Sequence, residues 1–361
     1  MQNQTQSNKI NFEGQNIYIG IDVHKKEWTV CIFSENLEHK QFTQPPEAEA
    51  LKSYLHRNFP GAKYYSVYEA GFCGFHVHND LVAAGITNIV VNAADVPTTH
   101  KEKVNKTDKR DSRKLGRSLR AGELTGIHIP ARKTQEDRSL VRLRYTVRKD
   151  LSRIKCRIKS LLNFYGIEHP PEFSEPSKHW SRRYMDWLRK VPMTEDSGRK
   201  TLEFLISEAE ELRKVVLSVT RQVRILSKSQ SYSKDYDLLF TVKGIGLITG
   251  MSLLTEIEDI NRFSSTDHFA SYIGLVPFCH DSGEKEKDGG ITSRANRLLR
   301  DMIVESAWVA ARKDPALLLA FSNLCKRMEP NRAIIRIARK LLNRIYNVLK
   351  TKTEYVCGKV K

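Results

Sequence analysis

The chain has 361 residues, enough for two or three domains with cores of their own. Its hydrophobic fraction of 40% suits a globular protein, and no apolar run approaches the ~20 residues of a membrane span, so no membrane-spanning segment is expected. Sixty Lys and Arg against 42 Asp and Glu give a net charge of +18, which favours a polyanionic partner over an acidic-loving or neutral one.

Much of that excess is local. Residues 101–160 hold 20 basic and 7 acidic residues. A block of this density suits nucleic acid. Binding to an anionic membrane surface would need a free apolar face, and a heptad seam already uses it here. The six cysteines are scattered, without a C-x-x-C pair or a histidine at zinc-ligand spacing, as expected of reduced thiols in a cytoplasm. Residues 1–15 are polar, lack the apolar stretch of a secretion signal and read as a disordered tail.

The first domain, 16–134, opens with the apolar run Ile17 to Ile21, which leads straight into Asp22. A second run, Trp28 to Phe33, follows, so the two read as a hairpin with its first strand buried. A carboxylate ending a buried strand is costly unless something pairs with it. A divalent cation is one such partner; capping of the turn through backbone N–H groups is the other. The spacing then predicts a helix over 48–59, a strand over 62–68 ending at Glu69, a helix over 75–84 and a short strand over 88–91. A basic loop (101–109) and a helix over 111–121 complete it. Strands alternating with helices after a hairpin predict an α/β domain with a mixed sheet.

The segment 135–235 is different. Leu140, Leu143, Val147, Leu151, Ile154, Ile158 and Leu161 step by three and four. After a Pro-containing aromatic stretch the pattern resumes from Leu202 to Leu226. Two such helices predict a coiled-coil arm, closed on itself or paired with another subunit.

The last segment, 236–361, reads as helical. Two apolar helical stretches flank Gly244-Ile245-Gly246, the pattern of a helix-hairpin-helix. Its glycine turn offers backbone N–H groups to a phosphate, so Lys243, Gly244 and Gly246 are candidate nucleic-acid contacts. The stretch from His280 to Gly290 is polar and Gly-rich, the profile of a mobile loop. Arg294, Asn296 and Arg297 open the helix after it and are further candidate contacts.

Four carboxylates stand where chemistry can use them. Asp22 and Glu69 end two strands, and Asp108 and Asp111 lie one turn apart at the start of a basic helix. In a ribonuclease H-like sheet such strand ends and such a helix meet. The cluster would repel itself unless it held cations. Oxygen ligands favour Mg²⁺ or Mn²⁺, and such ions activate nucleophiles for phosphoryl transfer. Lys25, Lys26, Lys106, Arg110 and Arg113 are the basic neighbours that a phosphate needs.

Five stretches occur in order from about Ile17 to Arg300: I-G-I-D-V-H-K, Y-E-A-G-F-C-G-F, K-T-D-K-R-D-S-R-K-L-G-R-S-L-R-A-G-E-L, G-I-G-L-I-T-G, and Y-I-G-L-V-P-F-C-H-D-S-G with G-G-I-T-S-R-A-N-R-L-L-R. Each is weak alone. Together they resemble the DEDD transposases of insertion-sequence family one-ten, which include Piv-type DNA invertases. The resemblance implies a RuvC-like domain holding Mg²⁺ on Asp22, Glu69, Asp108 and Asp111, then a coiled coil and a C-terminal transposase domain. It also implies a serine nucleophile at Ser282 that forms a phosphoserine link to DNA, with Ser271 and Ser293 as lesser rivals. The implied partners are donor and target DNA, a non-coding bridge RNA as guide, and further copies of the chain, as a dimer or tetramer. The expected location is the cytoplasm, at the nucleoid. The sequence departs from the family pattern in a lysine- and acid-rich insert, Glu284 to Asp288, which affects the pose of the Ser282 tip. Competing expectations are a RuvC-like nuclease acting through activated water and a non-catalytic architectural DNA-binding protein. An actin-like ATPase would need glycine-rich phosphate loops that the sequence lacks.

Overall fold

The computed structural model describes residues 11–99, 107–282 and 285–358, with backbone alone over 279–282 and 285–289. The chain divides into two compact units, one ending at Ile129 and one beginning at Pro130. Among the described residues no helix is long and apolar enough to cross a membrane.

The first unit is a five-stranded mixed sheet in the order β3-β2-β1-β4-β5, consistent with a ribonuclease H-like domain. Its strands are β1 (Asn16–Val23), β2 (Trp28–Phe33), β3 (Glu38–Gln44), β4 (Lys63–Glu69) and β5 (Thr87–Val91). β1, β2 and β3 pair antiparallel, and β1, β4 and β5 pair parallel. The third strand was not expected: its sequence, E-H-K-Q-F-T-Q, is polar because it lies at the sheet edge.

Side chains alternate across a strand, and β1 uses that alternation fully. Ile17, Ile19 and Ile21 join one core with Leu51 and Leu55 of α1 (Ala48–Asn58) and Val77 and Leu81 of α2 (His76–Ala83). Gly20 and Asp22 face the other way, toward α3 (Asp108–Arg120). There Leu115 packs with Val67, Val91 and Val96. α3 lies unusually close to β1. A Cβ built on Gly20 would sit 2.0 Å from Ser112 O and 2.3 Å from Gly116 N. Only glycine allows that approach.

The second unit is mostly helical. α4 (Arg132–Phe164) and α6 (Asp196–Ser227) are the two heptad helices, and they pair antiparallel with each other. Near one end of the pair Arg144 Nε donates to Thr220 Oγ1 (2.8 Å). At the other end Ile158 and Leu162 share a core with Leu202, Ile206 and Leu188 of α5 (Arg182–Lys190). The seam includes Val141 and Leu162 beside the expected Val147, Ile154 and Ile158; Leu161 packs against it partly buried, and Leu143 falls outside it. Val141 is buried and Leu143 is 47% exposed. Val141 joins one core with Val219 and Val223 of α6 and with the following helices.

Those helices are α7 (Ser233–Thr241), α8 (Leu247–Ile257), α9 (Thr266–Ile273), α10 (Arg297–Lys313), α11 (Pro315–Cys325) and α12 (Pro330–Thr351). The base of the arm is fastened to them through a buried carboxylate. Glu256, 2% exposed on α8, accepts from Arg142 Nε (2.6 Å) and Nη2 (2.8 Å) of α4. The segment expected as a mobile loop is instead a two-stranded antiparallel hairpin, β6 (Pro277–Ser282) and β7 (Lys285–Ile291), with Ser282 opposite Lys285.

Gly20→Ala is expected to destabilise the first unit more than Gly116→Ala. The first substitution drives a methyl group into backbone. At Gly116 the added Cβ meets the Phe33 ring at 2.7 Å, and a side chain can give way. Overpacking costs about 1–3 kcal/mol, so Gly20→Ala should fall at the upper end in chemical denaturation and Gly116→Ala lower. Equal losses would mean that the strand–helix approach is not the tight point.

Candidate metal and nucleic-acid site

β1 and β4 run parallel with Gly20 opposite Val67. The same offset brings Asp22 and Glu69 level at the ends of adjacent strands, both on the α3 side of the sheet. α3 starts above them. Thr107 caps it, its hydroxyl accepting from Arg110 N (3.3 Å), and Asp108 and Asp111 lie in the first turn. Two acids are favourable at a helix N-terminus, where the backbone N–H groups are positive. The edge strand holds this end in place: Gln41 Nε2 donates to Ser112 Oγ (3.0 Å), and Arg113 pairs with Glu38 (2.7 Å).

The acids divide into two pairs, each with a mediator. His24 Nε2 lies 3.2 Å from Asp22 Oδ2 and 3.5 Å from Asp108 Oδ2. One ligand atom from each of Asp22, His24 and Asp108 falls within 4.8 Å of the others, a grouping that can hold a metal ion. On the other side Lys114 Nζ donates to Glu69 Oε1 (3.3 Å) and Asp111 Oδ1 (3.4 Å), and its side chain is only 8% exposed. Burial pushes the Asp22 carboxyl above its ordinary pKa. His24 opposes that shift, while the charges of Asp108 and Asp111 add to it. Such a carboxylate gains from a cation.

The donor set fits a hard divalent ion. Carboxylate oxygens suit Mg²⁺ or Mn²⁺, and the added imidazole nitrogen is the more natural for Mn²⁺. Beside it an open cleft of about 420 Å³ is lined by His24, Lys25, Lys26, Glu27, Phe72 and Asp108. Two ammonium groups beside a metal-capable cluster suit a phosphodiester.

The family follows from both halves of the chain. A DEDD-type IS110 transposase model matches residues 19–167, and the model of the "Transposase IS116/IS110/IS902 family" matches residues 236–322. The chain belongs to this family. Curated relatives agree. The "Putative transposase y4qE" of Sinorhizobium fredii is 27% identical over 296 residues, 81% of this chain and 71% of that protein. The "Transposase for insertion sequence element IS1111A" of Coxiella burnetii is 21% identical over 357 residues, 94% of this chain and 91% of its own length. The "Pilin gene-inverting protein" of Moraxella bovis is 37% identical over 120 residues, 31% of this chain and 36% of that protein. An IS110-family transposase acts on DNA, so DNA is a substrate of this chain.

Of the other expected site residues, Lys25 and Lys26 line the cleft. Arg113 is held by Glu38, and Arg110 lies in the first turn of α3. Lys106 lies outside the described residues. In the second unit Lys243 is exposed in the turn between α7 and α8. Gly246 has open space around it. Gly244, at φ +95°, packs on α10, where a Cβ would lie 2.4 Å from Ser306 O. Asn296 caps α10, its Oδ1 accepting from Leu299 N (3.2 Å), and its amide donates to Glu256 Oε2 (3.1 Å). Arg297 is exposed, and Arg294 N donates to Thr292 Oγ1 (3.2 Å). Ser282 ends β6 in the second unit, whereas all four acids belong to the first.

Lys114 escaped the sequence reading, although it stands three positions after Asp111 on one helix face. His24, which in I-D-V-H-K reads as a turn residue or phosphate contact rather than a metal ligand, instead lies against both Asp22 and Asp108.

Removing either mediator or an acid should separate these roles. Lys114→Met leaves two carboxylates facing each other and is expected to cost about 2–4 kcal/mol in EDTA. Mg²⁺ or Mn²⁺ should recover more stability in this variant than in the wild type, read as the metal-induced rise in Tm. Asp22→Asn should show the opposite pattern: a Tm in EDTA at or above wild type, and no rise with metal.

Proposed function

We propose that this transposase cuts and rejoins donor and target DNA at a Mg²⁺-dependent centre built on Asp22, Glu69, Asp108 and Asp111, with Ser282 as nucleophile. In this reading a non-coding bridge RNA selects the sites. The observation that carries it is the metal-capable grouping of Asp22, His24 and Asp108 beside a lysine-lined cleft. A bound Mg²⁺ or Mn²⁺ would supply positive charge to the phosphoryl oxygens. Asp22 and Asp108 would hold it, and His24 orients both carboxylates. Lys114 keeps Glu69 and Asp111 together until an ion or a phosphate draws on them. Lys25 and Lys26 receive the DNA backbone.

The serine step balances. A bond forms from Ser282 Oγ to phosphorus as one bridging P–O bond of the DNA breaks. The serine proton passes to a base and the departing sugar oxygen takes one up. One phosphoester replaces another, so the strand can be rejoined without an outside energy source. A serine hydroxyl needs activation for this. The family match over residues 236–322, which include Ser282, supports that choice, as do the H-D-S-G residues that resemble the family's serine motif.

Further contacts follow the same reading. The turn Lys243 to Gly246 opens α8 with an exposed lysine and an uncrowded glycine, as a helix-hairpin-helix grip on a phosphate needs. The guide RNA rests on the family resemblance and suits the net charge of +18. Assembly into a dimer or tetramer through the arm is supported by Leu143, Leu217 and Ile225, apolar residues left exposed after α4 and α6 have paired.

The test uses the gene in its own flanking DNA, with PCR for excised circular junctions in cells. Junctions are expected for wild type alone and absent for Asp22→Ala and Ser282→Ala. A protein–DNA adduct that survives denaturation should form with wild type and disappear with Ser282→Ala. Junctions persisting in Ser282→Ala would remove the serine step and favour a water nucleophile at the same acids.

A further inference from the structure

The cleft beside the acids holds one feature that phosphate chemistry does not use. Phe72 is 63% exposed, although the next residue, Cys73, is buried. Its turn follows Glu69, the acid that ends β4, by three residues. The turn is anchored throughout. Ala70 N donates to Val91 O (2.7 Å), Gly74 N to Gly71 O (3.2 Å), and the buried Tyr68 hydroxyl to Gly74 O (3.1 Å). Cys73 is buried and Phe75 packs against the same core. Gly74 takes φ +56°, the left-handed conformation that closes the turn at low cost for glycine. The fold therefore has apolar room within this turn and uses it for Cys73 and Phe75. Phe72 is held outward by a fixed backbone.

Its surroundings define what can lie on it. Phe72 forms one wall of the cleft, with His24 and Asp108 of the metal-capable group on the same lining. Lys25 Nζ stands 5.9 Å from the ring centroid. A flat apolar ring, a cation at its face and a phosphate-handling centre alongside match the two parts of a nucleotide: a base to stack and a backbone to neutralise. A base within a duplex is already stacked on both sides and cannot use the ring, so the ligand must be unpaired.

We propose that Phe72 is a stacking platform for one unpaired DNA base next to the phosphodiester held at the Asp22–Asp108 centre. This deepens the reading given above and rests on it. Phe72 positions the strand by gripping the base, while Lys25 holds the ring face and the adjacent phosphate. The reaction then requires local opening of the duplex, and the ring stabilises the opened state.

The test is photocrosslinking of the full-length protein to single-stranded DNA carrying 5-iodouracil, with adducts mapped by mass spectrometry. Binding is measured in parallel for single-stranded and duplex forms of one sequence. An adduct on Phe72 is expected in wild type. Phe72→Leu keeps the bulk but not the ring, and should lose the adduct and weaken single-strand binding roughly tenfold, with less effect on duplex. Phe72→Tyr should restore binding, and the Tm of all variants should stay near wild type because the side chain is exposed. Adducts elsewhere in the cleft but none on Phe72, or equal binding by Phe72→Leu, would overturn the platform and leave the nucleic-acid reading of the acids standing. Wild-type binding with no adduct anywhere in residues 11–129 would overturn both.

Discussion

The close approach of α3 to β1 is the constraint on which the first unit depends. Gly20 and Gly116 remove the two side chains that would stand between strand and helix. Packing in a protein interior is dense, so a gap of one methyl group would be felt along the whole helix. The consequence reaches the far end of α3. With Gly116 seated on Gly20, the first turn of the helix, two turns away, comes down beside the end of β1. Asp108 then meets His24 and Asp22. The parallel register of β1 and β4 adds Glu69 at the same level. Three elements far apart in sequence thus deliver acids to one place because two residues have no side chain.

Four carboxylates gathered there would push the first unit apart. The protein manages this with one buried cation and one imidazole. Lys114 reaches Glu69 and Asp111, and His24 reaches Asp22 and Asp108. The arrangement is stable enough to fold yet leaves Asp22 above its ordinary pKa, chiefly by burial. Asp22, His24 and Asp108 lie close enough together to hold a metal ion. It also explains why basic residues within the first two turns of α3 do not all face solvent: Lys114 serves the acids and Arg113 serves Glu38.

The second unit solves a different problem. Its long helices pair with each other, and the base of the pair is tied to α8 through Glu256 and Arg142. Asn296 bonds to the same carboxylate and caps α10, just after the Ser282 hairpin. Gly274 also packs at the root of that hairpin, where its missing Cβ makes room for Ala295. The hairpin therefore springs from a base fastened to the arm.

Much of this was legible in the sequence. Alternation in Ile17, Ile19 and Ile21 marked a buried strand, and the break at Asp22 marked a carboxylate in need of a partner, which the fold supplies in His24. The heptad steps marked two long helices, and the ordered motifs marked the family. Tertiary structure alone decided the rest. β3 has no apolar pattern because an edge strand needs none. Leu143 is left exposed while Val141 is buried, because the side of α4 that carries Val141 meets both α6 and the following helices. A polar, Gly-rich stretch became the hairpin β6–β7 because backbone pairing does not need apolar side chains. The partners of the acids were likewise decided in space. Sequence determines which groups carry charge, but whether Glu69 faces a metal ion or Lys114 depends on distances of a few ångströms that only the packing of α3 on β1 sets.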